Sequence, residues 1–532
     1  MPTVPYIELH ARSAFSFLEG SSLPEDLASC AADLGQPALA ITDAHGVYGA
    51  PRFHLAAKKL GIRALIGAEV ASQDGSRFTL LVSNRHGYRN LCRLITRTKF
   101  REAKPGKPEN PYATDLDFAE YADGLICLTG GREGPLAWHD NFEQQLNRLT
   151  GIFEAGNVYV ELQRHGSREQ EARNQALIEL AQGKWPLLAT NGVTHASAPR
   201  RELQDVLTCI RNKTTLEEAG RLLNINAERY LKTPKEMCRL FADVPQACAN
   251  TLELAERLNF TLQDLGYEFP RYPVPPSETE SSYLQKLADA GARRRYVPYY
   301  DRARQQVERE LAMIEKLNLA GYFLIVWDIV DFCRKEKILV QGRGSAANSA
   351  VCYSLGITAV DPVGMDLLFE RFLSEERGEW PDIDLDLPSG DQRERAIQYV
   401  YDRYGKFGAA MTANVITYRG RSAVRDVGKA LGFSEEELGR LANNMARFEW
   451  NDPQDTMERR FERAEFPLND PRIAKFFSLT NDILDLPRHL GQHSGGMVVC
   501  QGALDSLVPL EPATMPGRVV VQWDKDDCAD LG

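Results

Sequence analysis

Apolar and polar positions along this chain change their period several times, and each change marks an element. Tyr6-Ile7-Glu8-Leu9-His10-Ala11-Arg12-Ser13 opens a strand-like run. Leu216-Glu217-Glu218-Ala219-Gly220 and Leu252-Glu253-Leu254-Ala255-Glu256-Arg257-Leu258 carry helical spacing, and a long helical run covers residues 303–317. Between them Pro270-Arg271-Tyr272-Pro273-Val274-Pro275-Pro276, followed by a polar stretch at 277–282, reads as the main linker. Past it, apolar Ile338-Leu339-Val340 leads into Gln341-Gly342-Arg343-Gly344-Ser345-Ala346-Ala347-Asn348-Ser349 and then Ala350-Val351-Cys352-Tyr353-Ser354-Leu355, a strand, a tight turn and a helix. About forty residues on, Pro381-Asp382-Ile383-Asp384-Leu385-Asp386 alternates strictly. Asp382, Asp384 and Asp386 share one face of that strand, and Ile383, Leu385 and Leu387 share the other.

Carboxylates at that density raise each other's pKa unless a cation compensates them, and hard divalent ions favour such oxygen ligands. An EF-hand loop does not fit, because its sixth position requires Gly and here holds Leu387. A solvated acidic sheet edge remains open from this motif alone. The glycine-rich turn offers close backbone approach, helix amides, the charge of Arg343 and the hydroxyl of Ser345, a combination suited to phosphate. It lacks the Lys of a Walker A loop. Gly342-x-Gly344-x-x-Ala347 fits a loose dinucleotide fingerprint with Asp361 downstream, yet Asp361 precedes Pro362 and no repeated βαβ array surrounds it.

Between the two motifs runs Leu367-Leu368-Phe369-Glu370-Arg371-Phe372-Leu373-Ser374. The order GRGS, LLFERFL, PDIDLD resembles the palm of bacterial C-family DNA polymerases, the DNA polymerase III alpha subunit family, and overall similarity favours its error-prone branch. The resemblance implies that Asp382 and Asp384 are catalytic and bind two Mg²⁺ ions, and that Gly342, Arg343, Gly344 and Ser345 bind the incoming nucleotide. Arg343 and Arg371 stay open between phosphate and structural partners. The basic helical stretch Tyr418 to Lys429 resembles the passage from palm to thumb, so Arg419, Arg421, Arg425 and Lys429 are expected to grip DNA phosphates. His489 to Val498 resembles the re-entry into the palm. The family's third catalytic aspartate lies just past the equivalent of Gly532, so the chain reads as truncated, and Asp524, Asp526 and Asp527 are not taken as substitutes.

Seven of the nine histidines fall between residues 10 and 195. His10, Asp43 in Thr42-Asp43-Ala44-His45 and Glu69 resemble the metal-binding pattern of the PHP domain, a barrel related to metal-dependent phosphoesterases. Arg12 replaces the second His of its HxH, Ala44 the His after Asp43, and Gly192 a later Asp. A guanidinium cannot ligate a metal, so a structural barrel with a vestigial site at His10, Asp43 and Glu69 is expected. His45, His165 and His195 are read as satisfied polar residues.

The implied fold is α/β: a PHP-type (β/α) barrel with a helical extension over residues 1–272, then a nucleotidyltransferase-like α+β palm over 283–412, a thumb-like helical insertion over 413–490, and palm re-entry over 491–532. Length and 43% hydrophobic content allow several real cores. The net charge of −11 speaks for solubility and leaves room for a local basic groove. Ten cysteines without CxxC pairs indicate neither zinc nor disulfides, and no apolar run approaches a membrane span, which suits a cytoplasmic protein. The expected partners are primer–template DNA, deoxynucleoside triphosphates and, by resemblance, a sliding clamp and accessory translesion proteins. Two alternatives stand beside the polymerase: a metal-dependent phosphoesterase or exonuclease working through the barrel, and a non-catalytic DNA-binding chain.

Overall fold

The computed structural model describes residues 6–101, 111–137, 139, 141–374, 381, 383–405, 407–444 and 456–531. Strands β1 (Glu8–Ala11), β2 (Ala38–Ala44), β3 (Arg63–Ala71), β4 (Arg77–Val82), β5 (Leu125–Leu128), β6 (Val158–Leu162) and β7 (Leu187–Ala189) lie side by side in chain order in a seven-stranded sheet. Pairing is parallel from β1 to β3 and from β5 to β7, while β4 runs antiparallel to both neighbours. Beyond β7 the chain returns to β1: Val193 N–H donates to His10 O at 2.9 Å and Arg12 N–H to Val193 O at 2.8 Å. This isolated bridge, Ala11 to Val193, brings the two ends of the sheet toward each other, so the sheet curls into a barrel-like wall. Helices such as Pro24–Asp33 and Ala50–Leu60 cover its outside, so β2 is buried at every residue.

Past the proline-rich linker, helices Glu280–Arg295, Asp301–Lys316, Ala320–Lys335 and Ala350–Leu355 pack around Ile314, Phe323, Leu324 and Val351. Against this helical core lies an antiparallel pair, β8 (Gln341–Arg343) and β9 (Asp384–Asp386). Four further strands, β10 (Ala409–Thr417), β11 (Pro487–Val499), β12 (Leu510–Pro512) and β13 (Val519–Asp524), form a sheet in the order β11-β10-β13-β12. Between β10 and β11 a helical insertion gathers around Phe461 and Phe476 and leans on barrel-side residues Leu203 and Val206.

The four-stranded sheet shares the barrel's core, with Met411, Val520 and Trp523 in the same apolar cluster as Val47, Phe53 and Tyr88. The turn after β2 clasps β13: Trp523 Nε1–H donates to Val47 O at 3.1 Å, Val47 N–H to Gln522 Oε1 at 2.9 Å, and Gln522 Nε2 to His45 O at 3.2 Å. Barrel and sheet are thereby continuous in packing, although the helices and strands between Glu280 and Tyr404 separate them along the chain.

Candidate active site and the barrel cleft

The pairing of β8 with β9 brings the glycine-rich turn to the acidic strand, since Arg343 is opposite Asp384 and Gln341 opposite Asp386. Ile383 and Leu385 pack on the helical core and Leu387 against a small cluster around Cys333, Ile338 and Ala396. That alternation turns Asp384 and Asp386 to the outer face, each with 59% of its side chain exposed. Arg343 Nε lies 3.7 Å from Asp384 Oδ2 and 3.4 Å from Asp386 Oδ1, so the two acids share one face and one cation. A pair this exposed contributes about 0–1 kcal/mol and holds neither acid fast. Asp382 lies outside the described residues.

Two expectations about the turn need correction. Gly342 donates its N–H to Ile357 O at 2.7 Å, and a Cβ there would stand 2.7 Å from that same oxygen. Glycine at this position serves close packing, and its amide is already used rather than offered to a phosphate. The second concerns the helix Ala350–Leu355, whose N-terminus was expected to face a ligand. It is occupied by the carboxylate of Glu310, which accepts from Ser349 Oγ (2.8 Å), Ala350 N–H (2.9 Å) and Val351 N–H (2.9 Å). Burial raises the pKa of Glu310 while these hydrogen bonds work in the other direction. What remains for a ligand is Arg343, Gly344 and Ser345. Gly344 has φ +68°, a left-handed conformation that favours glycine, and its position faces Asp384 Oδ2 at Cβ distance 3.8 Å. Ser345 follows, half-buried, in the tight turn Gly344–Asn348. Glu310 went unnoticed in the sequence although a signal existed: Ala303, Val307, Glu310 and Ile314 recur on one buried helix face, which places a carboxylate in an apolar stripe.

The basic helix Gly420–Ala430 buries Ala423, Val424 and Val427 and turns its cations outward. Arg419 pairs with Asp485, Arg421 Nε donates to Ala442 O at 3.3 Å, and Lys429 meets Glu435 at 3.2 Å. Arg425 is exposed and has no ion-pair partner among the described residues. Asp524 caps the helix Lys525–Asp530, accepting the N–H groups of Asp526 and Asp527 at 2.9 Å, a structural use of that acid.

In the barrel, His10 and Glu69 do come together, with His10 Nε2 at 2.8 Å from Glu69 Oε1. The other ring nitrogen of His10 lies 2.7 Å from Glu161 Oε1. Burial disfavours the charged ring, but Glu161 and then Glu69 outweigh it and raise the pKa of His10 to about 10. Arg12 lies where a ligand would be needed: its Nε and NH2 each reach Glu69 at 2.6 Å, its NH1 reaches Glu19 at 3.3 Å, and it also bonds Glu133. Against the penalty of burial, Arg12 and His10 hold Glu69 well below the usual carboxylate range. Asp43 is drawn elsewhere, accepting from Ser13 N–H at 2.7 Å, Ser13 Oγ at 2.8 Å and Ser16 Oγ at 2.8 Å, and burial lifts its pKa to about 6. The space left by glycine at 192 is filled by Gln163, since a Cβ on Gly192 would stand 2.5 Å from Gln163 Nε2. Both nitrogens of His10 and both oxygens of Glu69 are thus engaged, and these residues do not fit a metal centre. The expected trio of His10, Asp43 and Glu69 is replaced by His10, Glu69 and Glu161, with Arg12 as the resident cation. His165 and His195 are buried and take backbone or neutral side-chain partners, with His165 Nε2 at 2.9 Å from Asn191 O, whereas His45 is half-buried and bonds through its backbone, its N–H donating to Glu69 O at 2.8 Å.

The family model of the PHP domain matches residues 8–165, and that of the bacterial DNA polymerase III alpha NTPase domain matches residues 282–532. Residues 282–532 thus carry a domain of the bacterial DNA polymerase III alpha NTPase type, and residues 8–165 ahead of it carry a PHP domain. It is 43% identical to a protein named error-prone DNA polymerase from Mycolicibacterium paratuberculosis, across 100% of this chain and 49% of that protein. A second error-prone DNA polymerase, from Dechloromonas aromatica, is 41% identical across 99% of this chain and 50% of its own length. The chain spans about half the length of the curated relatives it matches. Among solved structures, an amidohydrolase from Chromobacterium violaceum covers 36% of this chain at 18% identity with a TM-score of 0.25. No helix among the described residues is long and apolar enough to cross a membrane.

Proposed function

We propose that this protein acts as a DNA-directed DNA polymerase of the error-prone type, used in lesion bypass and repair, and extends a primer 3′ end with deoxynucleoside triphosphates. The observation that carries the reading is the shared exposed face of Asp384 and Asp386 beside Arg343 and Gly344. Hard oxygen donors next to a cation and a glycine turn suit a nucleotide triphosphate with its divalent ion, here Mg²⁺. Asp382 and Asp384 would hold the ions and Asp386 would support them. Such ions supply activation of the primer oxygen and neutralisation of the departing pyrophosphate.

The chain's own groups do the positioning. Arg343, already poised over the carboxylates, offers its guanidinium to phosphate oxygens, and Gly344 and Ser345 allow the triphosphate to approach the backbone. Arg425, with Arg421 and Lys429 one turn to either side, would contact backbone phosphates without reading sequence, which gives a salt-dependent affinity. In this reading the setting is cytoplasmic, and a sliding clamp and accessory translesion proteins are the partners to be sought.

The test is primer extension, together with dATP binding in Mn²⁺, by the wild-type chain and the Asp384→Ala variant. The expected outcome is loss of extension and a drop in metal-nucleotide affinity of at least about tenfold, roughly 1.4 kcal/mol. Equal binding by wild type and variant would overturn the assignment.

A further inference from the structure

Resting on that reading, we infer that Glu310 is a positioning residue for the nucleotide turn, acting through the chain that follows Arg343, Gly344 and Ser345 rather than by touching the ligand. Its side chain comes from a different helix, Asp301–Lys316, and reaches across to the end of the turn. Glu310 has no exposed surface, and its two oxygens take three donors from Ser349, Ala350 and Val351 as well as Gln306 Nε2 at 2.9 Å. Such a carboxylate is costly to bury without a structural return, because each unmet lone pair would face a dry surrounding.

The return is geometric. Ser349, Ala350 and Val351 are tied to a packed helix, and the pairing of Arg343 with Asp384 fixes the other end of the turn. The five residues Gly344–Asn348 are thereby suspended between two anchors, one on β9 and one on Glu310. With the second anchor released, the turn no longer has one conformation to offer. Nucleotide must then select it from several, and apparent affinity falls by the fraction of chains that hold it. Asp384 and Asp386 belong to the first anchor, so binding of a metal alone is left as it was.

This separation defines the experiment on the full chain. Gln at position 310 keeps the volume but replaces one accepting oxygen with a donor, so at least one of Ala350 and Val351 loses its partner. In Glu310→Gln, the dissociation constant for dATP in the presence of Mn²⁺ is expected to rise by about tenfold, while Mn²⁺ alone, measured by electron paramagnetic resonance, binds as in wild type. Glu308→Gln, an exposed neighbour on the same helix, serves as the control and leaves both values unchanged. Parallel weakening of both, or no change in either, overturns the inference and assigns Glu310 to general stability. A wild-type chain that fails to bind dATP takes down the functional reading and this inference with it. If Glu310→Gln does not fold by circular dichroism, Ser349→Ala removes one of the same bonds more gently. It should then show the same split at about threefold.

Discussion

Replacing Arg12 by Met removes the cation on which the barrel's buried acids depend. The guanidinium donates twice to Glu69 at 2.6 Å, reaches Glu19 at 3.3 Å and bonds Glu133, and its side chain is only 7% exposed. After substitution Glu69 keeps His10 at 2.8 Å and a long contact to Arg77 at 3.5 Å. Taking one partner from a buried charge network costs about 3–5 kcal/mol, because the charge left behind is uncompensated. The sign of the pH dependence follows from Glu69. Its pKa in the folded protein lies well below its ordinary value, so its stabilising share is present above the unfolded pKa and disappears as pH falls through the folded one.

In Arg12→Met the principal cause of that depression is gone, and Glu69 must stay charged in a dry site or take up a proton. The penalty is therefore greatest near pH 7.5 and shrinks toward pH 5, where protonation becomes cheap. Urea unfolding followed by circular dichroism, at both pH values, measures it. A loss below about 1 kcal/mol at pH 7.5, or the same loss at both, would refute the argument and mean that the cleft is wetter than its burial implies.

His10 is protonated through the neutral range, so its stabilising share is fully present below pH 6.5 and is lost as pH rises through about 10. The stability gap between wild type and His10→Gln should therefore narrow between those values, and a constant gap in urea midpoints would count against the charged ring. Asp527 shows the reverse case: burial, then Asp524, lifts its pKa to about 7, so it opposes folding as pH rises from about 4 to 7. Asp527→Asn should raise stability by about 1–3 kcal/mol at pH 8 and leave it unchanged at pH 4 in thermal melts. Gly291 meets the backbone of the helix Ala350–Leu355, with a built Cβ only 2.0 Å from Ser354 O, so Gly291→Ala should cost about 1–3 kcal/mol and lower the melting temperature.

The two motifs on β8 and β9 were legible because each depends on a short-range rule. Alternation alone puts Asp384 and Asp386 on one face, and a glycine pair after an apolar run marks a turn whatever surrounds it. What stayed hidden depends on long-range neighbours. Nothing near Gly342 announces Ile357 O, and nothing near Ser349 announces Glu310, thirty-nine residues earlier in the chain. The barrel cleft shows the same division. Arg12 declared itself by being the wrong residue type for a ligand, whereas Glu161 and Gln163, on and just after β6, come into play only once the sheet has curled. Curling brings Glu161 to His10 and packs Gln163 into the space over Gly192, so a set of positions that could have bound metal becomes a network of charges that neutralise one another. Such a network stabilises the barrel against which Val47 and His45 hold β13. The front domain then bears on the four-stranded sheet through its packing, and substitutions that unsettle Arg12 should loosen the clasp on Gln522 and Trp523 before they reach Asp384.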